Sequence, residues 1–276
     1  MARRSVLDPP GERATFRAVP GDLDHDEALE QRGALTEGRR RCKGEGVGPA
    51  CVIVPALDAA ETVGAVVDDL RATLGLAVIV VDDGSVDATG DVARSHGAAV
   101  VRHEQNLGKG AAIRAGLREA DKRGCRVALT VDADGQHPGR SARAVLEGSD
   151  DPRALVLGVR DLVRDGAPAS NRFGNGVSNY FLSLFARRPL RDTQCGLRRY
   201  PVVETLDLSA RAPGFAFEGE VVLRALAAGL PVVEVPIAVV YDATGRPRSH
   251  FRRVLDPTRI VATVVRTVFE LRLGGS

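Results

Sequence analysis

The sequence predicts an α/β fold, a mostly parallel twisted sheet with helices on both faces, and three observations point to it. Short runs rich in β-branched residues recur along the chain: CVIV (51–54), AVIVV (77–81), AAVV (98–101), RVALTV (126–131) and ALVLGV (154–159). Amphipathic stretches such as ETVGAVVDDLRATL and GKGAAIRAGLREADKRG separate them. The runs are continuously apolar, as strands covered on both faces must be, and helical connections let neighbouring strands lie parallel through right-handed crossovers. Ligands in such sheets collect beyond the carboxyl ends of the strands, so the residues that follow each run carry the functional reading.

Length and composition bound the rest. With 276 residues, 44% of them hydrophobic, the chain can bury one large core with appendages. Residues 1–48 are rich in Gly, Arg, Asp and Glu without clear periodicity and read as a flexible extension. Residues 49–242 read as the main α/β domain and 243–276 as a basic amphipathic segment, packed on that domain or lying at a membrane surface. Lysine plus arginine outnumber acids by only 38 to 36, so no nucleic-acid partner is expected. The tail is different: from Ala243 onward seven arginines stand against Asp256 and Glu270.

Four cysteines (42, 51, 125 and 195) lack C-x-x-C spacing, which fits a reducing, cytoplasmic setting. The basic start has no apolar core behind it, so no signal peptide is read, and no run is long and apolar enough to span a bilayer. Peripheral contact with the inner face of a membrane stays open.

The motifs come in order. After AVIVV, the segment DDGSVDAT brings Asp82 and Asp83, whose carboxylates can accept hydrogen bonds from a base or ribose; an ordinary turn with Ser85 or Asp87 capping the next helix is the competing reading. NLGKGAAI places two glycines around Lys109 at a helix start, suited to a diphosphate. His103 and the lack of a following Ser or Thr exclude a Walker P-loop.

VDADGQH is the strongest signal, because Asp132 and Asp134 emerge from a buried strand where no core demands them. Alternation along an extended chain would put both on one side, to hold one hard cation, Mg2+ or Mn2+. Gln136 and His137 could add a sugar contact or a third ligand. A phosphatase nucleophile loop of the D-x-D-G-[TV] type is the rival, disfavoured because Gln136 stands in place of Thr or Val and no lysine follows Lys122.

Downstream, Arg160 ends VLGVR and is a candidate phosphate contact. Tyr180, Phe181, Leu184 and Phe185 fall on one helical face, expected to be core. Asp192, Thr193 and Gln194 form a polar cluster before a returning strand. Glu218 and Glu220 open a further helix, where acids also suit the macrodipole. Asp192, Glu218 and Glu220 are the candidate catalytic carboxylates. In the tail, Asp256-Pro257 starts a helix whose polar face would carry Arg259, Thr263, Arg266 and Glu270 opposite Ile260, Val264, Val268 and Leu271.

Taken together and in this order, VIVPALDAAETV, VVDDGSVDATGDVA, NLGKGAAIRAGL and VDADGQH resemble the N-terminal half of family 2 glycosyltransferases with the GT-A fold. LGVRD, DTQCGLRRY, GFAFEGEV and VPIAVVY extend the resemblance to the polyprenyl-phosphate sugar synthases, over roughly residues 50–260. The resemblance implies that Pro55, Asp82, Asp83, Lys109, Asp132, Ala133, Asp134, Gln136 and Arg160 bind a nucleotide-sugar. It also implies that Asp132 and Asp134 hold the metal, and that Arg248 and Arg252 contact acceptor or donor phosphates. No Q-x-x-R-W motif and no tryptophan occur, against a processive polysaccharide synthase.

The expected activity is inverting transfer of one sugar from a UDP- or GDP-sugar to a membrane-lipid acceptor such as a polyprenyl phosphate. A hydroxyl-directed transferase using a carboxylate base and a non-catalytic nucleotide-sugar-binding protein are the alternatives.

Overall fold

The computed structural model describes residues 49–162, 164, 169–186, 188–240 and 255–273. The extension assigned to 1–48, and Arg248 and Arg252, lie outside the described residues.

Seven strands form one sheet: β1 (Ala50–Ala56), β2 (Ala77–Asp82), β3 (Ala99–Arg102), β4 (Val127–Thr130), β5 (Leu155–Arg160), β6 (Arg198–Pro201) and β7 (Val232–Ile237). Their order is β3-β2-β1-β4-β6-β5-β7, and β6 alone runs antiparallel to its neighbours β4 and β5. The eight described helices are α1 (Val63–Leu74), α2 (Thr89–Ser95), α3 (Lys109–Lys122), α4 (Gly139–Leu146), α5 (Ala169–Ala186), α6 (Val202–Asp207), α7 (Ala216–Ala227) and α8 (Leu255–Leu273).

Successive residues of β1 serve opposite faces, as extended geometry requires. Cys51 and Ile53 join one core with residues of α3, α5, α7 and α8, including Ile113, Leu117, Leu182, Val221 and Val264. Ala50, Val52 and Val54 join a second core with α1, α2 and α4, including Val67, Leu70, Ala93 and Val145. The sheet is thus covered on both sides, which explains why its strands read as unbroken apolar runs.

Two features of the topology position the site. The chain turns from β1 toward β2 and β3 on one side and returns to β4 on the other, which opens a crevice beyond the ends of β1 and β4. Because β6 is antiparallel, its leading segment, residues 192–197, arrives at this same edge.

Helix α8 packs against α7 and α5, and Arg224 on α7 pairs with Glu270 at 2.6 Å. Val264 is buried and Val268 packs on the core while Arg266 and Glu270 are exposed, as the helical wheel places them. Thr263, assigned to the polar face, is instead buried together with Thr267, because docking on two neighbouring helices widens the inward stripe, and Val265 and Phe269 face outward. In α5, likewise, Phe181 and Phe185 pack on the core but Tyr180 and Leu184 are exposed. No described helix is long and apolar enough to cross a membrane.

Candidate active site

The floor of the crevice is made by two loops stapled to each other. Ser85 Oγ accepts a hydrogen bond from the Asp58 amide at 3.0 Å, Thr89 Oγ1 accepts from Ala59 N at 2.8 Å, and Asp87 accepts from Ala60 N at 3.0 Å. Asp58 returns the favour to Val86 N at 2.9 Å. Asp87 also accepts from the Thr89 amide at the head of α2 at 2.9 Å, as the capping reading expects, although the N-cap position itself is Ala88. Ser85 and Asp87 in addition satisfy amides just beyond the end of β1.

Asp82 and Asp83 build this floor from below. Asp82, fully buried, accepts from Ser85 N at 2.9 Å and is paired with Arg102 at 2.5 Å. Asp83 accepts from Leu107 N (3.0 Å) and Gly108 N (2.7 Å) and lies 2.7 Å from His103 Nδ1. Asp83 thus fixes the NLGK loop and the head of α3. Gly84, at φ 79°, passes so close to residues 105–106 that a Cβ would meet backbone at 2.5 Å. Pro55 lies buried within β1, in register with Val81, and contributes shape to this floor.

Asp132 and Asp134 follow β4 through a turn rather than an extended segment, so their proximity does not come from strand alternation. Asp134 accepts from Gln136 N at 3.0 Å, Thr62 Oγ1 donates to Ala133 O at 2.6 Å, and Gln136 O accepts from Val240 N at 2.9 Å. Lys109, the first residue of α3, reaches in with Nζ 2.7 Å from Asp132 and 3.3 Å from Glu218 on α7. Its ammonium also lies 5.2 Å from the ring centroid of Phe215.

The charges here act on one another. Burial opposes the Lys109 charge, but Asp132 and Glu218 outweigh it and hold its pKa above the ordinary lysine value. Burial likewise works against Asp132, yet Lys109 and His137 keep it below the usual carboxylate range. Asp134 is pushed up to about 6 by burial and then by the neighbouring charge of Asp132. His137 is buried, with its pKa lowered to about 4 by that burial, and its Nδ1 has no hydrogen-bond partner.

The second half of the chain closes the site. Arg160, at the end of β5, grips Asp192 through Nε (2.6 Å), Nη2 (3.0 Å) and its own backbone amide (3.1 Å). Gly196 lies against Asp132, and a Cβ there would overlap the carboxylate. Arg198, fully buried on β6, donates to Thr193 O, Cys195 O and Glu218 O at 2.6–2.8 Å. It ties the segment before β6 to the head of α7. Glu218 and Glu220, two residues apart on a helix, diverge. Glu218 faces Lys109, whereas Glu220 accepts from Arg211 N (2.8 Å), Ala212 N (2.6 Å) and Arg224 Nε (2.8 Å).

The family model for glycosyl transferase family 2 matches residues 51–198, which include every strand-end motif just described up to Arg198. The chain belongs to glycosyl transferase family 2. Among its relatives is glycosyltransferase AglJ of Haloferax volcanii, 30% identical over 76% of this chain and 67% of that protein. Another is the polyprenol monophosphomannose synthase of Mycolicibacterium smegmatis, 31% identical over 67% of this chain and 75% of that one. Among solved structures, the Mycobacterium tuberculosis glucosyl-3-phosphoglycerate synthase in complex with Mn2+, UDP-glucose and phosphoglyceric acid shares the fold. Its TM-score is 0.61 at 19% identity, with 85% of this chain and 82% of that chain covered.

This glycosyltransferase therefore carries the acidic pair, Lys109, Glu218, Arg160 and Asp192 around one crevice, and sets Glu220 apart from it. The donor set suits a hard divalent cation: Asp132 and Asp134 offer carboxylate oxygens, and the charge of Asp132 adds to burial in raising Asp134. Among the described residues no three His, Cys, Asp or Glu side chains converge into a ready-made metal cage. The motif reading missed Arg102, His103, Gly196 and Arg198. Two adjacent arginines inside the short strand RRYP were the available signal for Arg198, because an arginine buried in a sheet needs a dedicated set of acceptors.

Proposed function

We propose that the enzyme moves one sugar from a UDP- or GDP-linked donor to a membrane-lipid acceptor that presents a phosphate, such as a polyprenyl phosphate, with inversion. The observation that carries the acceptor class is that each of the three carboxylates weighed as bases is paired with a cation, although Glu218 Oε1 accepts no hydrogen bond. Asp192 is held by Arg160, Glu220 by two amides and Arg224, and Glu218 stands beside Lys109 and 4.0 Å from Arg198. A hydroxyl acceptor needs a carboxylate ready to take its proton, while a phosphate arrives already anionic. Relatives named as a polyprenol monophosphomannose synthase and as a dolichyl-phosphate N-acetylglucosaminyltransferase support the same class.

In this reading an acceptor phosphate oxygen bonds to the anomeric carbon as that carbon's bond to the diphosphate breaks, and the electron pair leaves on the diphosphate. Asp132 and Asp134 would hold Mg2+ or Mn2+, which when bound offsets the charge on the leaving group. Lys109 and Arg160 both act electrostatically on this acidic pair and supply positive charge beside it. Asp83 keeps the head of α3 in place for the diphosphate, and Gln136, with Ala133, shapes the donor-sugar side. Arg248 and Arg252 remain the proposed contacts to the acceptor phosphate.

Docking at a membrane surface is supported by the apolar pairs that α5 and α8, packed side by side, turn outward: Tyr180 with Leu184, and Val265 with Phe269. The test gives purified protein UDP- and GDP-sugars with Mn2+ and either polyprenyl phosphate or the corresponding alcohol. Glycolipid formed from the phosphate alone is expected. Turnover on the alcohol with none on the phosphate would overturn the reading in favour of the hydroxyl-directed alternative.

A further inference from the structure

A cavity of about 410 Å³ lies between α3, α6 and the segment leading into α7, lined by Arg114, Leu117, Arg118, Thr205, Leu206, Ser209, Ala210, Arg211 and Phe217. It is separate from the acidic crevice. Arg114 and Arg118 stand five and nine residues beyond Lys109, about 8 and 14 Å down the axis of α3. Between the two spaces α3 and α7 are pressed together at Gly110, where a Cβ would come within 2.7 Å of Phe217 Cβ.

Three guanidinium groups line this cavity. Arg114 lies 5.5 Å from the Phe217 ring centroid and donates to Ala212 O at 3.4 Å, which aims it along the wall. The nearby acid, Glu220, is already shared among two backbone amides and Arg224. Burial first, and then Arg118, push the Arg114 pKa below its ordinary value, with Glu220 opposing and Arg211 adding to the shift. A second, independent observation points inward: Thr205, 4% exposed, lines the cavity with a buried hydroxyl that has no hydrogen-bond partner. A buried hydroxyl without a partner costs free energy that a ligand oxygen would recover.

We propose that this cavity is a binding site for a small soluble organic phosphate, distinct from the site of sugar transfer. Arg118 and Arg211 grip the phosphate oxygens, Thr205 donates its hydroxyl, and the Leu117, Leu206 and Phe217 wall receives a compact carbon frame. The volume is in the range of small-molecule sites, and arginine forks match phosphate geometry. The assignment stands whatever the donor or acceptor of the transferase proves to be.

The test is calorimetric titration of the full chain with phenyl phosphate in EDTA, repeated on Arg118→Ala, Arg211→Ala, Thr205→Val and Lys109→Ala. One binding event per chain is expected, weakened on the order of tenfold by either arginine substitution, each of which removes a charge-assisted contact. Thr205→Val should weaken it several-fold while leaving the melting temperature unchanged or higher, since it deletes an unpartnered hydroxyl of similar volume. Lys109→Ala should leave it intact. No binding by the wild-type chain, or loss in Lys109→Ala rather than in the arginine variants, would overturn the proposal. So would capture of phosphatidate vesicles through Arg118 and Arg211 without any response to phenyl phosphate, which would make the ligand a lipid headgroup.

Discussion

Lys109 Nζ stands 2.7 Å from Asp132 Oδ1, so the first residue of α3 neutralises half of the acidic pair that follows β4. Two elements distant in sequence are thereby joined beside the proposed diphosphate site.

Removing the carboxylate at this contact should uncouple metal from nucleotide. Asp132→Asn is expected to weaken Mn2+-dependent UDP or GDP binding by at least about a hundredfold, because a ligand is lost along with the partner that orients Lys109. Titration calorimetry with and without Mn2+ checks this, and unchanged Mn2+ enhancement in the variant would refute it.

The raised Asp134 sets a pH window. In the absence of metal its folded pKa of about 6 lies above the ordinary aspartate value. Its contribution to stability is then full below about 4 and is lost as pH rises through 6. Metal binding runs the other way, since the cation needs the ionised carboxylate. Mn2+ affinity should fall as pH drops below about 6, and in Asp134→Asn this segment of the profile should be flat. Mn2+-dependent thermal shifts between pH 5 and pH 8 provide the measurement.

Breaking the Arg160–Asp192 pair should destabilise the fold. Asp192 is fully buried and holds Arg160 through two side-chain contacts and a backbone amide. Asp192→Ala should cost about 3–5 kcal/mol by removing the buried carboxylate that pairs with this guanidinium. The double variant Arg160→Met with Asp192→Leu should recover part of that in urea unfolding while remaining inactive.

Glu218 and Glu220 should separate by what they change. Glu218→Gln removes a counter-charge of Lys109 and is expected to lower kcat with a small change in melting temperature. Glu220→Gln loosens the 211–212 segment and should lower the melting temperature by several degrees, in keeping with about 1 kcal/mol for weakened charge-assisted bonds, with kcat at low temperature near wild type. The reverse pattern would exchange their roles.

Much of the fold was legible because the parallel strands are two-sided, and their β-branched runs carry that signature without any long-range information. The short strand β6 was seen only as a return; its four residues, RRYP, have no periodicity from which to read an antiparallel insertion. The acidic pair and Lys109 were legible as types at strand and helix ends. The engagement of Asp192 was not, since its partner Arg160 is 32 residues away and spacing carries no record of a pairing made across β5 and β6. The burial of Thr263, which the helical wheel puts on the polar face of α8, was hidden for a related reason: the width of the inward stripe is set by what the helix docks against.

Gly196 leaves one practical opening. A methyl group there collides with the Asp132 carboxylate and with no other charged side chain among its nearest neighbours. Gly196→Ala would displace the Asp132 carboxylate by bulk alone, leaving every ionisable residue of the chain in its sequence. Such a protein is an isoelectric control, in which loss of turnover can be assigned to geometry rather than to a missing charge.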